Sequence, residues 1–458
     1  MQKLETASPK LSFLNLSYGK LSEEVVDRVK YLTLDFIGLA SRGSLFTSSK
    51  PLQTFIEKFG GDGDGTIIGN KELSSLPQYA ALANGAAAHS LELDDVINES
   101  SLHPAVSVFP AAFAVGEEAN RSGKDFIVAS LIGYELMSRL GVALNPSEVY
   151  KKGFHPTGLM GTFAASVTSS KLLNLSTEKT YNAIGIAGSQ TSSSMEFLQT
   201  GAWTKRLHPG WAAQSGIIAA QLAAEGFTGP DTIIEGNSGF AQAHSDNYDL
   251  TQLDNSFDMN ENAILKTSIK PHACCRYKQG PLDLILDIVK ENNLVPSDIN
   301  QINVYLVGTA LPIVAEPAAE KRRPKSSVDA QFSMHFGAAV ATIYRNTLLE
   351  QYDETVIRDS NVISMMDKVT CVRDEDLEEY FPTKWPARVV IDSKKGLFEK
   401  KIDYPKGDPE NPLSWDEIIN KFRYVTSPIY SEKQQTAIID KVRDLENLKG
   451  IKELGNLL

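Results

Sequence analysis

Three segments lie within one span of the chain: Leu91-Glu92-Leu93-Asp94-Asp95, Ser101-Leu102-His103-Pro104 and Gly153-Phe154-His155-Pro156-Thr157-Gly158. How they are read decides the fold. Each His-Pro pair falls where one helical pattern ends and the next begins. Proline disfavours helical geometry in the residue before it. Both imidazoles are therefore predicted at helix starts, where a side chain can face a cleft. The flanking residues 76–88, 110–120, 126–144, 158–173 and 212–225 are rich in Ala and small residues. Small side chains let helix axes approach closely. The pattern predicts an all-α bundle of many helices, with the polar specialities at helix ends.

Toward the N-terminus, residues 1–20 read as an irregular arm. Ser22 is an N-cap candidate for a helix carrying Val25, Val26, Val29, Leu32, Phe36 and Ile37 at helical spacing. Gly60-Gly61-Asp62-Gly63 lacks a Gly-Lys-Ser/Thr and reads as a plain turn rather than a phosphate loop. The texture changes near residue 265. Ile302 to Val307, Lys368 to Val372 and Ala387 to Ile391 read as strands, with helical patterns at 280–291 and 329–347. The residues thus predict a helical domain over 1–262, completed by helices in 413–458, and a smaller α+β domain over 263–412.

The composition, 42% hydrophobic and 22% charged, is that of an ordinary soluble globular protein. No uninterrupted apolar run approaches the ~18 residues of a bilayer span, so no membrane association is expected. Met1-Gln2-Lys3-Leu4-Glu5 lacks a charged head followed by an apolar stretch, so secretion is not expected. Cys274, Cys275 and Cys371 offer no disulfide framework, and the expected location is the cytoplasm. A net charge of -12 argues against nucleic acid as a partner. It leaves room for a small anionic substrate in a local basic pocket.

Several groups are candidates for chemistry, each beside a plainer reading. His103 follows Asp95 by eight residues; an imidazole near a carboxylate is a competent acid or base, and otherwise it caps a helix or fills the core. Leu91 and Leu93 interleave Glu92, Asp94 and Asp95, which suggests that at least one carboxylate turns inward rather than all three being solvated. His155 precedes a helix whose free N–H groups are suited to an anion, or it merely caps that helix. Thr204-Lys205-Arg206-Leu207-His208-Pro209-Gly210 places Lys205, Arg206 and His208 before an Ala-rich helix. Cations at a helix start oppose the macrodipole unless an anion joins them; the alternative is a solvated basic turn. In Lys270-Pro271-His272-Ala273-Cys274-Cys275-Arg276-Tyr277, Lys270 and Arg276 are candidate carboxylate ligands. The adjacent Cys pair is ill-suited to a metal, and no metal site is expected.

Taken together, Leu-Glu-Leu-Asp-Asp…His-Pro, Gly-Phe-His-Pro-Thr-Gly, Thr-Lys-Arg-Leu-His-Pro-Gly and Lys-Pro-His-Ala-Cys-Cys-Arg-Tyr resemble the MmgE/PrpD family across nearly the whole chain. That family includes 2-methylcitrate dehydratase, cis-aconitate decarboxylase and iminodisuccinate epimerase, and the Lys205 turn is closer to the latter two. The resemblance implies a large all-helical domain with a smaller α+β lid, a homodimer, an active site between domain and lid, and no cofactor. It implies that His103, His155, Lys205 and an acid among Glu92, Asp94 and Asp95 (Asp94 foremost) carry catalysis. Glu92, Asp95, Lys270, His272, Arg276 and His208 would then contact the substrate. Val96, Cys275 and Gln279 depart from the relatives' pattern. The implied reaction is proton transfer next to a carboxylate of a small di- or tricarboxylate, ending in dehydration, decarboxylation or epimerisation. The competing class is a non-catalytic dimeric helical scaffold.

Overall fold

The computed structural model describes residues 11–254, 256–381 and 383–458. The fold is mainly α, with one four-stranded sheet and two two-stranded ones among the described residues. The chain divides into two compact units. Unit 1 holds residues up to Ser90, Asp94–Thr267 and Ser414–Leu458; unit 2 holds Leu91–Leu93 and Ser268–Leu413. Residues 1–10 of the expected arm lie outside the described residues. The part that follows forms two 3-10 turns, Ser12–Asn15 and Tyr18–Lys20, with Phe13 buried.

Unit 1 is built on six long helices: α1 Glu23–Ser44, α2 Pro77–His89, α3 Ala105–Glu118, α4 Gly123–Ala143, α5 Pro156–Leu172 and α6 Thr204–Ala224. Local chemistry fixes most of the starts. The Ser22 hydroxyl accepts from the Val25 N–H at 3.3 Å, and Ser122 and Asp125 form a reciprocal capping box. Pro77 and Pro156 sit at first helical positions, where a missing N–H costs nothing.

The core between α1, α3 and α4 is aromatic. Phe36, Phe109, Phe113, Phe126 and Tyr134 are buried, with ring centroids 4.9 to 6.0 Å apart. Burying each such ring contributes about 1.5–3 kcal/mol. By length and composition α4 is apolar enough to cross a membrane, but nearly all of it is buried in the bundle. It is a core helix. Trp415–Thr426 and Glu432–Arg443 return to α1, where the Lys421 ammonium pairs with buried Asp35 at 2.7 Å.

The small residues do what their pattern suggests at the crossing of α2 and α6. A Cβ on Gly85 would stand 2.8 Å from Gly210 Cα, and a Cβ on Gly210 would stand 2.2 Å from the Leu82 carbonyl oxygen. Only a bare backbone fits on both sides. This contact brings the C-terminal end of α2 and the first turns of α6 into one region.

The expected start of the α6 segment at residue 212 is corrected. The helix begins at Thr204 and contains Pro209. Lys205, Arg206 and His208 are thus inside its first two turns rather than in a preceding turn. The expected 329–347 helix is likewise two pieces, Ser327–Gln331 and Met334–Tyr344, because the Ser333 hydroxyl caps a new start at Phe336.

Unit 2 carries a four-stranded sheet: β1 Ile299–Leu306, β2 Val369–Arg373, β3 Ala387–Ser393 and β4 Gly396–Ile402, in the order β2-β1-β3-β4. β2 runs parallel to β1, with Val304 opposite Cys371, and β3 runs antiparallel, with Val304 opposite Val389. The alternation of β3 buries Val389 and Ile391 on one face. Helices Gln279–Glu291 and Met334–Tyr344 pack against the sheet. β4 is an exposed edge carrying Lys400 and Lys401, which discourages further strand pairing.

Candidate active site

Four of the seven histidines gather at the helix ends of unit 1. His89 is the last residue of α2 and is fully buried. Its Nδ1 lies 2.6 Å from Asp94 Oδ2. The same carboxylate oxygen lies 3.4 Å from His103 Nδ1. His103 Nδ1 also meets the Asp95 carbonyl oxygen at 2.5 Å. A carbonyl only accepts, so His103 carries a proton on Nδ1.

The acidic pair splits by role. Asp94 faces the imidazoles. Asp95 turns away: its two carboxylate oxygens accept from the Ala105 N–H at 3.1 and 3.3 Å, and Oδ2 also accepts from the Tyr134 hydroxyl at 2.9 Å. Burial, and then the charge of Asp94, push the Asp95 carboxyl well above the usual carboxylate range. In this structure Asp95 is engaged within unit 1. It anchors the start of α3 to the core, and its carbonyl holds His103. Glu92 is buried with a left-handed backbone at φ 54°, a conformation unusual for a side-chain-bearing residue.

The second His-Pro join is stitched to the first. The His103 N–H donates to Thr157 Oγ1 at 3.2 Å. His155 caps α5 with extended backbone, and its N–H donates to the Ser193 carbonyl at 2.8 Å. The His155 ring stacks 5.6 Å from that of His89, and its Nδ1 is 3.2 Å from His208 Nδ1. His89 thus stands between His103, at 5.3 Å, and His155.

On α6, Lys205 and His208 are three apart and share a face; Lys205 is buried. No acidic residue occupies the first turn of α6. Burial, followed by the Lys205 charge and the neighbouring imidazoles, holds His155 well below its ordinary value. Burial, His89 and Lys205 lower His208 to about 4. Near neutral pH both are uncharged. The region gathers imidazoles beside the buried Lys205 ammonium and the buried Asp94 carboxylate, an arrangement suited to moving protons beside an anion.

Lys270, His272 and Arg276 belong to unit 2. Lys270 is buried. His272 has both ring nitrogens engaged within its own unit, Nε2 with Asp283 Oδ1 at 2.8 Å and Nδ1 with Thr347 Oγ1 at 2.6 Å. These contacts brace its loop. Arg276 Nη2 donates to both Asp408 oxygens at 2.7 Å, and its guanidinium lies 4.8 Å from the Trp385 ring centre. That pairing ties the loop to Asp408. Gln279 completes the loop by donating to the His272 and Cys274 carbonyls at 3.0 and 3.1 Å. Among the described residues, no group of three or more His, Cys, Asp or Glu side chains is arranged to hold a metal ion.

Reasoning from sequence missed His89, Tyr134, Thr157 and Ser193. His89 closes the Ala-rich stretch five residues before Asp94, but no periodicity links the two.

A helical unit with histidines at its helix ends and a smaller α+β unit together define a class, and two family models fit it. The MmgE/PrpD N-terminal domain matches residues 13–253, and the MmgE/PrpD C-terminal domain matches residues 272–447. The chain belongs to the MmgE/PrpD family. It is 28% identical to the cis-aconitate decarboxylase-like protein oryM of Aspergillus oryzae, over 97% of this chain and 95% of that one. It is 27% identical to a cis-aconitate decarboxylase of Aspergillus terreus, over 97% and 94%. It is 26% identical to the human cis-aconitate decarboxylase, over 100% and 95%.

Proposed function

We propose that this protein is a lyase acting on a small di- or tricarboxylic acid by proton transfer next to a carboxylate, with decarboxylation of a cis-aconitate-like substrate foremost. The observation that carries the reading is the cluster in unit 1 of buried Asp94, His155 and Lys205 with half-buried His103 and His208. Full-length relatives named as cis-aconitate decarboxylases support the carboxy-lyase over the hydro-lyase form.

In this reading the Lys205 ammonium attracts a substrate carboxylate into a site of low dielectric, where its charge counts for more than in water. His103 carries a proton on Nε2, and Asp94 stabilises the imidazolium. When the carbon–carbon bond to the departing carboxylate breaks, its electron pair stays with the substrate. Carbon dioxide leaves, and the His103 proton passes to that carbon. Being uncharged, His155 and His208 donate or accept hydrogen bonds without repelling Lys205. The homodimer remains part of the proposal. Phe55 and Trp203, both substantially exposed, line an open groove on unit 1 that a second copy would cover.

The test is NMR in deuterated water with cis-aconitate, 2-methylcitrate and iminodisuccinate. Loss of carbon dioxide with deuterium entering the product carbon is the expected result. Exchange and inversion without loss of carbon would replace the lyase by an epimerase. Inertness toward all three, with no thermal stabilisation by any, would favour the scaffold.

A further inference from the structure

We infer that His89, which no sequence pattern singled out, is a positioning residue: it holds Asp94 in the orientation that sets how strongly the carboxylate binds the His103 imidazolium. The inference rests on the proposed lyase reading for its kinetic consequence, but not for its structural one. Two imidazole Nδ1 atoms address a single oxygen, Asp94 Oδ2. His89 makes the short contact at 2.6 Å and His103 the long one at 3.4 Å. Both members of the short pair are fully buried, so no water competes. The carboxylate is thereby pinned toward α2, and His103 receives only the remainder of its field.

Contrast with His272 argues against a packing role. A histidine retained for structure satisfies both ring nitrogens, as His272 does with Asp283 and Thr347. His89 satisfies only one. Its Nε2 is buried with no hydrogen-bond partner, an arrangement that costs about 1–3 kcal/mol. A leucine or phenylalanine would fill the same space without that penalty. The ring also lies between those of His103 and His155. The groups around it are Asp94 and His103 from its own loop, His155 from the start of α5 and His208 from α6, with Lys205 acting on the last two.

The balance is simple. Removing the His89 N–H takes away the shorter of the two imidazole contacts to Asp94 Oδ2, which strengthens the hold of the carboxylate on the protonated His103. An amide at the same reach restores the donor. The experiment compares the full-length protein with His89→Leu, His89→Gln and His89→Asn, following the His103 ring by side-chain proton–nitrogen NMR and, in parallel, the pH profile of turnover. In His89→Leu the His103 midpoint rises by about one pH unit, as expected when an opposite charge moves closer. The kcat limb shifts with it while KM stays within about two-fold. His89→Asn, whose Nδ2 stands in for Nδ1, keeps the parent profile. If His89→Leu does not fold, His89→Gln, which cannot put its amide at that point, takes its place with the same expectation. Equal His103 midpoints in the parent and in the Leu or Gln variant would overturn the inference, as would an Asn variant as altered as either. Should no polycarboxylate turn over, the lyase reading fails, while the NMR midpoint still decides the His89–Asp94 link.

Discussion

The Nδ1 atoms of His155 and His208 face each other at 3.2 Å. A hydrogen bond between two such atoms needs one N–H and one lone pair. At least one ring must therefore be neutral, and a second proton on the pair breaks the contact. Burial and Lys205 push in the same direction, holding His155 well below its ordinary value and His208 at about 4. In the unfolded chain both titrate near 6.5. Between these values the unfolded chain binds the extra protons, so the stabilisation is complete above pH 6.5 and is lost as pH falls toward 4. Raised Asp95 acts with the opposite sign: its contribution is present below 3.8 and fades as pH rises through its folded value. Comparing parent and variant cancels that term. Unfolding measured in urea at pH 7 and pH 4.5 is expected to show a smaller loss of stability in His208→Asn than in the parent. The difference should be on the order of 2 kcal/mol for a partly buried imidazole. Equal losses would mean that the pair does not stay neutral.

Asp94 contacts two imidazoles of unit 1, those of His89 and His103, through one carboxylate oxygen. Asp94→Asn keeps the size and one acceptor but removes the charge that holds an imidazolium. His103→Asn removes the proton carrier. Each is expected to lower kcat by about 100- to 10,000-fold on whichever polycarboxylate the parent turns over. Circular dichroism should be unchanged for His103→Asn, whose side chain is partly exposed. A His103→Asn enzyme within a few-fold of the parent would remove His103 from the chemistry.

Much of this arrangement was legible because the signals are local. Ser22 and Ser122 cap as their positions suggest, and Pro104 and Pro156 stand at helix starts. The third His-Pro pair misled for a physical reason. Pro209 is the sixth residue of α6, where its missing N–H removes one hydrogen bond, and tertiary packing around Gly210 supports the helix regardless. The roles of Asp94 and Asp95 could not be told apart in sequence, because Tyr134 and Ala105 decide them from other elements. His89 was hidden by its surroundings. No periodicity pairs a helix's last residue with an acid five positions on; the turn between them does.

Tyr134 supports the site from a distance. Its hydroxyl donates to Asp95 in the interior of the aromatic core, and Asp95 in turn holds the first N–H of α3 and, through its carbonyl, His103. Tyr134→Phe preserves the ring and deletes one donor to a buried carboxyl group. The expected cost is about 1–3 kcal/mol of unfolding free energy. Activity should fall as well, with KM less affected than kcat, because the displaced group is the one that fixes His103. A Tyr134→Phe protein as stable as the parent would show that Asp95 does not rely on this bond.

The crossing of α2 and α6 is the most exacting geometric demand in unit 1. His89 lies at one end of it, and Lys205 and His208 lie one turn from Gly210. A methyl on Gly210 would sit 2.2 Å from the Leu82 carbonyl oxygen and 2.9 Å from the Ala86 nitrogen, both backbone atoms that cannot turn aside. Gly210→Ala must therefore push the helices apart, at a cost of about 1–3 kcal/mol or more. The same step separates His89 from His208, so turnover should fall with stability. Gly116 supplies the control. It lies in α3, where an added Cβ meets only Ile451 at 3.5 Å, an ordinary contact. There the better helix propensity of alanine is expected to raise stability by up to about 1 kcal/mol. Thermal melts of the two variants should move in opposite directions. A Gly210→Ala protein that melts with the parent would mean that the close approach of these backbones is not what holds the imidazoles together.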